Sequence, residues 1–276
     1  MNLFEKIVNI IAITGKTPTS YGIFHFISVA VVLLVCILLC KKYKDCNDKT
    51  IRIICLISWI TMLLLEIYKQ VVFSFQYNNG DPYWDYQWYA FPYQLCSTPL
   101  YVLPFIVFLK NGKVRDSLIA FMATFSLFGG LAVYAFPNDV FINIIGINFQ
   151  TMIHHGLQVI LGIFLLVHNR NRLDKVFFIK ACCVFLVLLA SAVLLNEVVY
   201  ASLKANGNSE SFNMFYISQY FDCTLPLLNI IYKEVPYFVF FLIYCLGFIL
   251  IGFIILFVAS RIVKLVNNRG NYENKK

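Results

Sequence analysis

The sequence predicts an all-α polytopic membrane protein. It has seven transmembrane helices, the N-terminus outside, the C-terminus inside, and an amphipathic interfacial helix ahead of the first span. Three observations lead there. The composition is 60% hydrophobic and only 13% charged, with a mean hydropathy of +0.75, far more apolar than a soluble domain. Seven apolar stretches reach, or nearly reach, the length that crosses ~30 Å of hydrocarbon. The basic residues flank those stretches with a bias to one side.

In chain order, "LFEKIVNIIAI" (3–13) sets Leu3, Phe4, Ile7, Val8 and Ile11 on one face, which suits a helix lying in the interface. The spans cover about residues 21–40, 51–73, 94–109, 117–136, 149–167, 176–199 and 236–263. The third is short, and Pro92 and Tyr93 extend it. The chain thus divides into an interfacial helix (1–20), a transmembrane domain (21–265) and a basic cytoplasmic tail (266–276). The segments after spans one, three and five, together with the tail, carry 17 of the 22 Lys and Arg residues. That bias puts them inside and accounts for the net charge of +8 without a nucleic-acid partner.

The outer loops differ in kind. Residues 73–93 hold ten aromatics and no Lys or Arg, a composition that suits the headgroup layer. Residues 200–235 are too apolar for disorder, so they fold back as a lid or re-entrant piece, where protein covers the irregular backbone.

Ionisable and hydrogen-bonding groups inside spans are costly, so each is a candidate site residue. Glu66 and Lys69 lie at i, i+3 in the outer half of span two and can pair, either as a structural ion pair or as the lining of a polar cavity. Span three opens with "QLCST", bringing Gln94, Cys96 and Ser97 to its outer end. Span five opens with "NFQTMIHHGLQ", bringing His154 and His155 to the same layer at ~1.5 Å rise per residue. Gly156 permits a close backbone approach. Pro104 kinks the interior of span three and frees the carbonyl near residue 100. Gly129 and Gly130 in "FGGLAVYAFP" permit tight helix packing.

The nine cysteines show no CxxC and no Cys/His pair at metal spacing, so no metal site is predicted. Six fall toward the inner side and Cys245 mid-membrane, leaving Cys96 and Cys223 outside. Cys96 then has three readings: a small packing residue, half of a disulfide with Cys223, or a nucleophile whose proton a neighbouring His accepts.

"FPYQLCSTPLYVLPF", "FGGLAVYAFP" and "TMIHHGLQVILGIFLL", in this order and spacing, resemble the bacterial YwaF family of integral membrane proteins, whose human relative is transmembrane protein 164. "SYGIFHFISVAVV" and "SFNMFYIS" fit more loosely, and the likeness covers roughly residues 20–260. The resemblance implies a phospholipid acyltransferase that works through a Cys and a His without acyl-CoA. It puts the family's Cys at Cys96 and its His at His155. The position two before the Cys is often His in the family and is Gln94 in this chain, which keeps a hydrogen-bonding group but removes a second base.

The resulting expectation is a membrane acyltransferase or transacylase of the bacterial cytoplasmic membrane. Cys96 carries the acyl-thioester, His155 is base and then acid, and His154 is the fallback. Gln94 and Ser97 serve the oxyanion, and Glu66 and Asn213 orient the histidine. The partners are membrane phospholipids or lysolipids, with no soluble cofactor and no metal. The competing expectation is a transporter or small-molecule-binding protein using the Glu66/Lys69 and histidine pairs. A third is a structural or sensory seven-helix protein, which nothing specific in the sequence favours.

Overall fold

Runs of Leu, Ile, Val and Phe in lipid satisfy their backbone only within the segment, so they fold as helices. The computed structural model describes residues 3–78, 81–138 and 140–273. Its helices are α1 (Leu3–Ile11), α2 (Ile23–Tyr43), α3 (Asp48–Ser74), α4 (Pro99–Phe108), α5 (Lys113–Phe121), α6 (Leu127–Ala135), α7 (Ile145–His168), α8 (Lys175–Ala205), α9 (Leu228–Glu234) and α10 (Tyr237–Glu273). A π-turn over Met122–Ser126 joins α5 to α6 without a break. Among the described residues six helical stretches are long and apolar enough to cross a membrane: α2, α3, Lys113–Ala135, α7, α8 and Tyr237–Val266. The protein is therefore a multi-pass membrane protein.

The third expected span is realised as a shorter apolar helix, Leu95–Phe108. It is about 20 Å long, against a hydrocarbon core of about 30 Å. Two arginines reach its early end. Arg52 donates to the Val107 and Leu109 carbonyls, the latter at 2.8 Å, and Arg115, 4% exposed, donates to that of Ile106 at 2.7 Å. Both arginines pair with Asp48, and their charge suits the negative end of the α4 dipole. Further bonds gather three connections at this end of the bundle. Lys180 pairs with Asp116 at 2.9 Å, Arg170 pairs with Asp45, and His168 Nδ1 bonds the Lys44 carbonyl at 3.2 Å.

Pro104 leaves the Leu100 carbonyl without its helical donor, as expected, and the Trp59 indole N–H from α3 fills the gap at 2.9 Å. The central helix is α7, mostly buried together with α5–α6, whereas few residues of α2 are fully buried.

Three departures from the expected picture stand out. The all-α expectation misses a two-stranded antiparallel hairpin, β1 (Phe75–Asn78) with β2 (Asp81–Trp84). Its physical source is aromatic alternation around Asn79-Gly80, a pair that favours two-residue hairpin loops. The helix α1 does not present its whole apolar face outward. Val8 is buried, and the Tyr68 phenol of α3 donates to the Ile11 carbonyl at 2.8 Å, whereas Leu3 and Ile7 are exposed. The Phe4 side chain lies outside the described residues. The expected tail begins as helix, since α10 continues to Glu273, and 274–276 lie outside the described residues.

The 200–235 loop does fold inward. Phe212, Met214, Phe215, Ile217, Ser218 and Cys223 are all buried.

Candidate functional site

The three sequence stretches singled out above meet where α4 begins and α7 runs past it. Cys96 sits in a 3-10 turn, Leu95–Ser97, directly ahead of α4. Thr98 closes that turn by donating to the Leu95 carbonyl at 2.6 Å, and Pro99 opens the helix. Gly129 of α6 packs on the Cys96 backbone, since a Cβ there would stand 3.4 Å from the Cys96 Cα. Gly130 faces α7 so closely that a Cβ would meet the His155 carbonyl at 2.7 Å. Gly156 also has close neighbours, but they are the side chains of Val32 and Tyr134 and not another backbone.

Two side chains of α7, one turn apart, hold the Cys96 carbonyl. His154 Nε2 donates to it at 3.0 Å, and the Gln158 amide donates to it as well. A carbonyl only accepts, so His154 must carry its proton on Nε2. Its Nδ1 is buried and has no hydrogen-bond partner among the described residues. His155 is sorted the other way. Its Nδ1–H donates to the Thr151 carbonyl at 2.7 Å, so in the neutral ring Nε2 is the basic nitrogen. The rings lie 5.4 Å apart, centroid to centroid.

Glu66 and Lys69 form the expected ion pair at 2.9 Å, with Glu66 buried. Gln70 donates to the same carboxylate and to the Ala90 carbonyl, both at 2.7 Å. The charges of Glu66 and Lys69 act on both the Cys96 thiol and the His155 ring.

Gln94 points elsewhere and donates to the Asn213 carbonyl at 2.9 Å. The Asn213 side chain serves its own loop, donating to the Asp222 carbonyl at 3.1 Å and accepting from Ser218 N–H at 2.8 Å. Among the described residues neither Glu66 nor Asn213 hydrogen-bonds a histidine ring. His155 is held by its own helix through Thr151, because a backbone carbonyl four residues back is the nearest acceptor a helical side chain meets. All nine cysteines are free thiols, Cys96 and Cys223 among them.

Sequence reading passed over Gln158, although it lies at i+4 from His154 and so must share its face. Among the described residues no three His, Cys, Asp or Glu side chains come together as a metal ion would require.

The site's geometry can be set beside known proteins. The model of the TMEM164 family matches residues 19–260, a range that takes in every residue of the site. No curated protein and no solved structure matches the chain.

Proposed function

This chain belongs to the TMEM164 family, and from that premise we propose that it is an integral membrane acyltransferase that moves a fatty acyl chain between membrane lipids through a thioester on Cys96. The observation that carries the reading is the sorting of the two histidines. His154 is spent on the Cys96 carbonyl, while His155 keeps Nε2 free as a base.

In the first half-reaction His155 Nε2 takes the thiol proton and the thiolate attacks the ester carbonyl of a donor phospholipid. The tetrahedral oxyanion collapses, the ester C–O bond breaks, and the lysolipid oxygen leaves with the proton from His155. In the second half the hydroxyl of an acceptor lysolipid gives its proton to His155 and attacks the thioester, which returns the thiol. Ser97 and Gln94 line the reacting turn, and the Glu66/Lys69 pair sets its field. Both lipids enter from the bilayer, so no soluble cofactor takes part.

We place α4 as a seventh, short span, with the N-terminus outside and the C-terminus inside the cytoplasmic membrane of a bacterium. The basic loops gathered at one end of the bundle support that placement.

The test is intact-protein mass spectrometry of the purified chain in nanodiscs of a defined diacyl phospholipid. A hydroxylamine-labile acyl adduct on Cys96 is expected, absent from Cys96→Ala and lost in His155→Ala. A wild-type chain that never acquires the adduct, with lipids unchanged, would sink the proposal.

A further inference from the structure

Helices α2 and α7 begin side by side, and the chain ties their starts together. The Gly15 N–H donates to the Asn143 carbonyl at 2.7 Å, and the Ile145 N–H to that of Ile13 at 3.0 Å. The turn ahead of α2 is fixed to the end of α6. There the Tyr21 phenol donates to the Ala135 carbonyl at 2.8 Å, and the Ser20 hydroxyl to that of Pro137 at 3.3 Å. The Phe24 and Phe149 rings meet edge to face, 5.1 Å between centroids. Between these tied segments lies a cleft of about 500 Å³, within the usual size of a small-molecule site.

Its lining is divided by chemistry. One side carries Lys16 and the hydroxyls of Thr17 and Thr19. Among the described residues that line the cleft, Lys16 is the one ionisable side chain, and no carboxylate accompanies it. Gly22 caps α2 without a side chain to bond the first-turn N–H groups, so the helix end adds to the attraction for a negative group. The other side is apolar and faces outward. Ile23 is 80% exposed, and Ile145 and Phe149 are exposed as well. Ile153, one turn beyond Phe149, continues the same exposed strip down α7. A free anion would use only the polar half. A phospholipid uses both, its phosphate beside the lysine and a chain along the apolar strip. With a cation and no carboxylate in the lining, a headgroup of net negative charge fits better than a zwitterion.

We propose that the cleft between the starts of α2 and α7 is a binding site for an anionic phospholipid, its phosphate held at Lys16 and one acyl chain lying along Ile23, Phe149 and Ile153. The site is separate from Cys96. Phe149 precedes His154 by five residues of α7, about 7 Å along the axis, and the inference does not depend on the thioester reading.

The experiment uses the full chain in detergent and a phosphatidylglycerol with a diazirine in one acyl chain. After illumination, peptide mass spectrometry locates the adducts. They should concentrate on the peptides that carry Ile23 and Phe149–Ile153. Unlabelled phosphatidylglycerol should compete them away, while phosphatidylcholine and inorganic phosphate should not. Lys16→Gln should lower labelling there by about fivefold, the effect of losing one basic residue's attraction for an anionic headgroup. Lys233→Gln, an exposed lysine of α9 outside the cleft, should leave it within a factor of two. Adducts spread evenly over the outward-facing helices would mean ordinary lipid contact and overturn the proposal. So would equal competition by phosphatidylcholine, or equal loss in the two lysine variants, or none in either. Displacement by inorganic phosphate would make the cleft a site for a free anion and overturn it too.

Discussion

Gly129 and Gly130 are neighbours in sequence, yet one carbonyl oxygen separates their roles. A methyl group on Gly130 would stand 2.7 Å from the His155 carbonyl and 2.9 Å from the Gln158 Cβ, whereas one on Gly129 would meet nothing closer than 3.4 Å. Backbone cannot give way as a flexible side-chain end can, so α6 and α7 must part to admit Gly130→Ala. Overpacking of this kind costs about 1–3 kcal/mol. Gly130→Ala should therefore lower the thermal midpoint in detergent and weaken the hold on Cys96, while Gly129→Ala melts close to wild type. Equal melting of the two variants would refute the assignment. The same scale shows what sequence can reveal. Cys96, His154 and His155 were legible because polar side chains in apolar spans are expensive and stand out. Their division of labour was not, because it depends on which backbone carbonyl each ring meets: that of Cys96 for His154 and that of Thr151 for His155. A backbone acceptor carries no sequence signature, so the expectation fell on Glu66 and Asn213.

Helix α4 is the element on which the site rests, and both of its backbone defects are repaired from outside. Pro104 removes the donor for the Leu100 carbonyl, which Trp59 replaces. The last carbonyls go to Arg52 and Arg115. Trp59→Phe keeps an aromatic ring but leaves a carbonyl unpaired in an apolar setting, at a cost of about 1–3 kcal/mol. Pro104→Ala would restore the helical N–H to that carbonyl. In a double-mutant cycle the cost of Trp59→Phe should therefore shrink in the Pro104→Ala background. Additive costs in thermal or denaturant unfolding would show that the indole N–H is not acting on this carbonyl. The kink was legible because proline chemistry is local. The tryptophan that answers it was not, because it lies 41 residues away on another helix. The hairpin after α3 failed for a different reason. Its aromatic residues fit two descriptions at once, a headgroup belt and an alternating strand pair, and only the sequence pair Asn79-Gly80 tips the balance toward the second.

At the scale of the whole molecule, the length of α4 decides the topology. If it crosses, the chain has seven spans and its ends lie on opposite sides. If it turns back, there are six and the ends share a side. Direct bonds bring the connection after α2, the one after α4 and the one after α7 to one end of the bundle, through Arg115 with Asp48, Lys180 with Asp116 and Arg170 with Asp45. These connections and the helix ends that flank them, with the end of α10 and the tail, hold 17 of the 22 basic residues, and the positive-inside rule assigns such an end to the cytoplasm. In the seven-span topology we propose, the ~20 Å helix completes the crossing with arginine heads capping its last carbonyls from the polar side. Cysteines placed at two exposed positions test this in intact cells with a membrane-impermeant maleimide, scored against the parent's native thiols. Ser209→Cys, in the segment after α8, should label from outside. Lys110→Cys, at the end of α4, should label only after permeabilisation. A helix that turned back would reverse both results, leaving Lys110→Cys accessible from outside and Ser209→Cys protected. It would also move the α8–α10 segment to the cytoplasmic face.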